Sequence, residues 1–206
     1  MDRARRYGGL IWVVAGLIFQ IVWVVLRPDQ MPGPVTLTLM ALVALGVVMT
    51  MDPHSRLTVI GGWIVAVALA VDFIAAILDR FGLFGPPGGP GVSWGSWPAF
   101  VDYTSVLLFG LGGPVSVVAG ALATVVEILL AGLLISGRLR RWVGKATAGL
   151  FVVYLLTMLL ALGPGEVATY GVPILVGGAL LVSAAPTRFP SKSDRSAEAE
   201  LAPART

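Results

Sequence analysis

The sequence predicts an all-α fold: a bundle of six membrane-spanning helices with a short helix lying at one interface. Three observations carry this reading. Hydrophobic residues make up 57% of the 206 and charged residues only 12%, with a mean hydropathy of +0.90. A water-soluble domain carries about 25% charged residues, so there is too little polar surface to cover a globule in water. The apolar residues are gathered into six runs, each near the ~20 residues of helix that cross a hydrocarbon core. Lys and Arg, finally, cluster on alternate connections, as expected when positive loops stay in the cytoplasm.

The first run, 8–26, is interrupted only by Gln20. Arg3, Arg5 and Arg6 ahead of it look like the start of a signal peptide, but the run ends in Leu26-Arg27-Pro28-Asp29 with no small-residue cleavage site, so it reads as a retained span. The second run is 34–51. The third, 57–78, contains Asp72, and the fourth, 114–136, contains Glu127. The fifth is 143–162. The sixth, 167–185, holds Pro173, where a kink is expected. The closing stretch 186–206 is Ser, Ala, Pro and mixed charge, and reads as a disordered cytoplasmic tail.

Six spans put both termini on one side. On that side fall Arg3, Arg5, Arg6, Arg56, Arg138, Arg140, Arg141, Lys145, Arg188, Lys192, Arg195 and Arg205, twelve of the fourteen Lys and Arg; only Arg27 and Arg80 fall on the other. Both termini are therefore expected in the cytoplasm. The formal charge of +3 is explained by this placement and does not point to nucleic acid. Ala, Gly, Val and Arg usage suggests a high-GC bacterium, hence the bacterial cytoplasmic membrane. The basic turn 137–145 acts first as a topology determinant, with anionic lipid or a cytoplasmic partner as the alternative.

Composition also removes chemistries. Without Cys there is no disulfide framework, thiol redox chemistry or thiolate metal site. The single histidine, His54, lies in the turn 52–56 and reads as a solvated loop residue, so no metal site is expected.

The segment between the third and fourth runs is the most informative. Residues 79–91 are a chain of glycine and proline breakers, followed by Trp94, Trp97, Phe100, Asp102 and Tyr103. A phosphate-cradling loop is a poor alternative, because no Gly-Lys-Ser/Thr follows and no strand precedes. Residues 98–109 read as a short helix at or dipping into the outer interface, where Trp and Tyr rings favour the headgroup region. It is either an aromatic anchor with a structured loop or a lid over an outward-opening cavity.

An acid inside a span costs several kcal/mol unless paired, hydrated or protonated, so Asp72 and Glu127 are the functional candidates. Counted along their helices, they lie about 9 Å and about 20 Å below the outer surface. They are not an obvious pair but can line one cavity at successive levels. No Lys or Arg sits at a matching depth, which predicts a Glu127 that is protonated or bonded to Tyr154, Thr157 or Thr124. Gln20 reads as inter-helix glue, and Ala66 with Ala70, Ala119 with Ala123, and Gly120 with Thr124 as close-approach positions.

The run Ala123-Thr-Val-Val-Glu127-Ile-Leu-Leu-Ala-Gly132-Leu-Leu-Ile-Ser-Gly137-Arg-Leu-Arg140 resembles the signature of the DoxX-like membrane proteins. Phe81-Gly-Leu, Trp97-Pro-Ala-Phe100, Tyr103-Thr104 and Pro114 at the head of the Glu-bearing helix are similar too. The resemblance covers spans three to six. It implies a four-helix DoxX-like membrane domain over 56–185, a two-helix N-terminal extension over 1–55, and the tail 186–206. That family includes the membrane subunit of thiosulfate:quinone oxidoreductase, so the resemblance also implies a quinone-linked role. It carries over Glu127, Gly132, Gly137 and Arg138 or Arg140 as motif positions.

The first functional reading is thus a redox-associated subunit that binds a quinone or similar amphiphile. Glu127, Asp72 and Asp102 supply polar groups, and Trp94, Trp97, Phe100 and Tyr103 form the mouth. No residue here transfers electrons alone, so a redox partner protein is implied, and any catalysis is that of a non-autonomous subunit. A small-solute or proton-coupled transporter is the second reading, although no inverted repeat is evident. A structural or assembly protein without ligand is the third.

Overall fold

The computed structural model describes residues 3–30, 32–51 and 56–186, and these are all-helical. The helices are α1 (Arg3–Leu26), α2 (Pro34–Met49), α3 (Arg56–Arg80), α4 (Trp97–Leu107), α5 (Pro114–Ser136), α6 (Arg140–Ala161), α7 (Pro164–Tyr170) and α8 (Val172–Ala184). His54 and the tail beyond Pro186 lie outside the described residues.

Four helices, α1, α3, α5 and α6, are long and apolar enough to cross a membrane, and α7 with α8 make a fifth span if their 51° bend is counted as one crossing. The chain is therefore a multi-pass helical membrane protein, with four or five such spans where six were expected. The difference lies in α2. Gly33 and Pro34 set its start, and Thr50 ends it by turning its hydroxyl back to the Val47 carbonyl at 2.8 Å. Its 16 residues rise about 24 Å, short of a ~30 Å hydrocarbon core.

The sixth run is broken where a kink was expected, but two residues earlier than Pro173. Gly171 takes a left-handed conformation (φ 62°), which ends α7 and begins α8. Pro173 then sits in the first turn of α8, where a missing N–H costs nothing.

Helix α8 forms the centre, with eleven of its thirteen residues buried. Helices α1, α6, α3 and α2 pack around it. Of the two N-terminal helices, α1 lies chiefly on α8 and α2 on α3. Glycines bring these backbones together. A methyl built on Gly177 would lie 2.5 Å from Val13 Cγ2 and 2.7 Å from the Gly9 carbonyl oxygen. Gly46 of α2 faces Gly61 of α3, and Gly144 of α6 faces Ala179 and Ser183 of α8, just as closely. Of the expected small-residue positions, Ala66 and Ala70 are wholly buried, whereas Ala119 and Ala123 line a cavity. Gln20 is buried, but its amide makes no hydrogen bond among the described residues, so it is not the expected glue.

One end of the bundle is basic. Arg5 donates to the Ser183 carbonyl at 3.1 Å, and Arg6 donates to the Met51 carbonyl. Arg140 is buried there, donating to the carbonyls of Gly62 and Pro186, with its guanidinium 4.5 Å from the Trp63 ring centre. Gly137 caps α5 in a left-handed conformation against that same Trp63 ring. Two motif positions, Gly137 and Arg140, thus have a structural explanation. Arg138 and Gly132 are exposed.

Candidate functional site

The other end of the bundle carries the site. Helix α3 ends in Asp79 and Arg80, both buried to within 4% of full burial. A helical Cα–Cβ bond tilts toward the N-terminus, so the Arg80 side chain runs back down into the bundle. It is not left in water, as its position at the end of an apolar run suggested. Its Nη2 donates to Glu127 Oε1 at 2.9 Å, and its Nη1 donates to Thr124 Oγ1 at 2.9 Å. Nη1 also lies 2.5 Å from Glu127 Oε2, an ionic contact without hydrogen-bond alignment. Glu127 therefore has an arginine at its own depth, which sequence reasoning had ruled out. Depths counted from each helix end assume that the ends are level. About 20 Å of α5 stands above Glu127, so the ends of α3 and α5 are staggered.

Tyr154 of α6 completes the group, donating to Glu127 Oε1 at 2.5 Å. Of the three expected partners of Glu127, only Tyr154 bonds to it; Thr124 accepts from Arg80 and donates to the Gly120 carbonyl, and Thr157 bonds to the backbone of its own helix. The buried carboxylate is thus compensated in charge, with both hydrogen bonds on Oε1 and only the ionic contact on Oε2.

Aromatic rings cover the guanidinium. The Arg80 carbon centre lies 4.0 Å from the Phe100 ring centre and 5.3 Å from that of Trp94, within cation–π range. Trp94 meets Phe100 edge-on at 5.1 Å and stacks on Tyr170 at 6.5 Å. Phe100 can come this close because Gly120 faces it: a methyl there would lie 3.0 Å from the ring.

The breaker-rich loop 81–96 is folded down by Asp79, whose Oδ2 accepts from the backbone N–H groups of Ser93 (3.0 Å) and Trp94 (2.9 Å). Gly95, with φ 67°, passes so close to Pro87 that a Cβ would lie 2.5 Å from its nitrogen. Ser96 then caps α4, accepting from the Ala99 N–H at 3.3 Å. The short helix starts one residue before the expected 98 and ends at Leu107, where Phe109 and Gly110 turn the chain with positive φ. Tyr103 of α4 donates to Glu166 Oε1 of α7 at 3.3 Å. Burial pushes the Tyr103 phenol above its ordinary range, with Tyr170 and Glu166 nearby adding to the shift, so it keeps its proton and remains a donor.

Beneath this cover lies a cavity of about 610 Å³. Asp72, Arg80, Glu127, Tyr154, Trp94 and Tyr170 are among its lining residues. The two intramembrane acids do share one cavity. Phe100 and Tyr103 line it as well. Trp97 and Asp102, expected with them, do not. Trp97 stacks on Phe81 at 5.8 Å, and Asp102 is exposed on the far face of α4. Asp72 differs from Glu127 in having no hydrogen-bond partner among the described residues. Among those residues no cluster of His, Asp and Glu has the makings of a metal site.

No protein-family model, curated protein or solved structure matches the chain.

Proposed function

We propose that the chain is a DoxX-like membrane protein that binds a quinone or similar amphiphile in this cavity, as a non-autonomous subunit of a redox system. The observation that carries the reading is a cavity of about 610 Å³ reaching an ion-paired acid inside the bundle beneath an aromatic cover. Its volume falls within the usual range for small-molecule sites, which are mostly apolar walls with a few placed polar groups. Trp94, Tyr170 and Phe100 put aromatic surface at its wall. Electrons would come from a partner protein.

The placement that accompanies this reading is the bacterial cytoplasmic membrane, with six crossings and both termini in the cytoplasm. The basic end formed by Arg5, Arg6, Arg140 and their neighbours supports it, with α2 as the short crossing.

A second reading, a structural or assembly protein without ligand, draws on a specific observation: Glu127 is already paired with Arg80 and accepts from Arg80 and Tyr154. Mass spectrometry of small molecules that co-purify from native-like lipid separates the two. An amphiphile present with the parent and depleted with Glu127→Gln supports the ligand site. No bound molecule in either, with stability lost in the variant, supports the structural reading.

A further inference from the structure

The lining of the cavity is unbalanced in charge. Its ionisable acids are Asp72, Asp79 and Glu127, and its one basic residue is Arg80. Arg80 is committed to Glu127 and Thr124, and Asp79 to the loop backbone. That leaves Asp72 on α3 as an acid that borders open space and has no partner among the described residues. An ionised carboxylate without a counter-charge is costly in such surroundings.

The walls of the same cavity are aliphatic and aromatic. Phe73, Trp94, Phe100, Tyr103, Tyr154 and Tyr170 all border the cavity. Ring faces carry negative potential, so aromatic walls with one carboxylate suit a cation whose charge is shielded by carbon. A small hydrated ion would have to shed its water onto an apolar surface. A lipophilic cation would not, since its hydration is already weak.

We propose that the cavity takes a second class of ligand, a lipophilic organic cation such as a quaternary or protonated tertiary amine, with Asp72 as its counter-ion. The site is the one described above, but the inference needs no redox chemistry and no partner protein. Asp72 supplies the charge, the rings supply contact with the apolar groups, and the Arg80–Glu127 pair stays intact as a neutral wall.

The test is binding of tetraphenylphosphonium to the purified full-length protein in lipid nanodiscs, followed by tryptophan fluorescence and checked by calorimetry. Neutral triphenylphosphine oxide and decylubiquinone are measured beside it. The expected result is saturable cation binding that falls at least tenfold in Asp72→Asn and largely returns in Asp72→Glu. Binding of the neutral phosphine oxide stays unchanged, and so does cation binding in Asp102→Asn, whose acid lies outside the cavity. Absence of cation binding, equal affinity for the neutral analogue, or an Asp72→Asn that is folded by thermal melting and binds like the parent would overturn the proposal. Decylubiquinone binding without cation binding removes this inference and leaves the quinone reading standing; the reverse outcome does the opposite.

Discussion

The Arg80 guanidinium and the Glu127 carboxylate meet at 2.5 Å inside the bundle, joining the last residue of α3 to the middle of α5. Thr124 and Tyr154 hold the two ends of the pair, and Phe100 and Trp94 close over it. One contact thus ties three helices and the α4 cover to the wall of a cavity.

Removing one member of this pair leaves the other buried and uncompensated. Arg80→Met is expected to cost about 3–5 kcal/mol, and Arg80→Met with Glu127→Leu to recover much of that loss. Tyr154→Phe removes one inter-helix hydrogen bond and should cost less, about 0.6–2 kcal/mol. Thermal unfolding in detergent measures all three. Additive losses in the double variant would mean that the two side chains are not coupled.

The pair also marks where the sequence stops being legible. The acids stood out because a carboxyl in an apolar run demands an explanation, and both do border one cavity. Arg80 did not stand out, because an arginine after Asp79 and before a run of glycines and prolines reads as the wet end of a helix. Only the tilt of its side chain and the stagger of α3 against α5 bring it to Glu127. Trp97 and Asp102 were grouped with Phe100 and Tyr103 by sequence proximity, yet α4 turns them away, since only one face of an eleven-residue helix can point inward. The apolar runs predicted the helices well, but the length of α2 was set by Pro34 and Thr50, which hydropathy does not register.

Asp79 holds the loop that carries Trp94. Replacing it with Ala removes the acceptor for two backbone N–H groups. Hydrogen bonds to a charged group are worth about 1.5–3 kcal/mol each. Amide exchange across 81–96 should accelerate strongly while α5 and α6 remain protected. Unchanged exchange at Ser93 and Trp94 would contradict this role.

Glycines along the α1–α8 contact are needed for backbone approach, and others are not. Gly177→Ala drives a methyl against Val13 and the Gly9 carbonyl and should destabilise by about 1–3 kcal/mol. Gly132→Ala meets nothing within 4 Å on an exposed helix face and should be neutral or mildly stabilising, since Ala is the better helix former by about 1 kcal/mol. Melting temperatures of the two variants check the contrast. Equal effects would show that the close contact at Gly177 has no energetic weight.

If the space beside Arg80 and Glu127 holds a ligand, filling that space must weaken binding. Ala123 lines that space one turn from Glu127 and takes no part in the ion pair. Titration of decylubiquinone into the nanodisc-embedded parent and into Ala123→Phe, followed by tryptophan fluorescence, tests it most directly. Saturable binding to the parent is expected, weakened at least tenfold when phenylalanine fills the cavity, with Gly132→Ala binding as the parent does. Equal affinity of the parent and a folded Ala123→Phe, or no saturable binding to the parent, would contradict it.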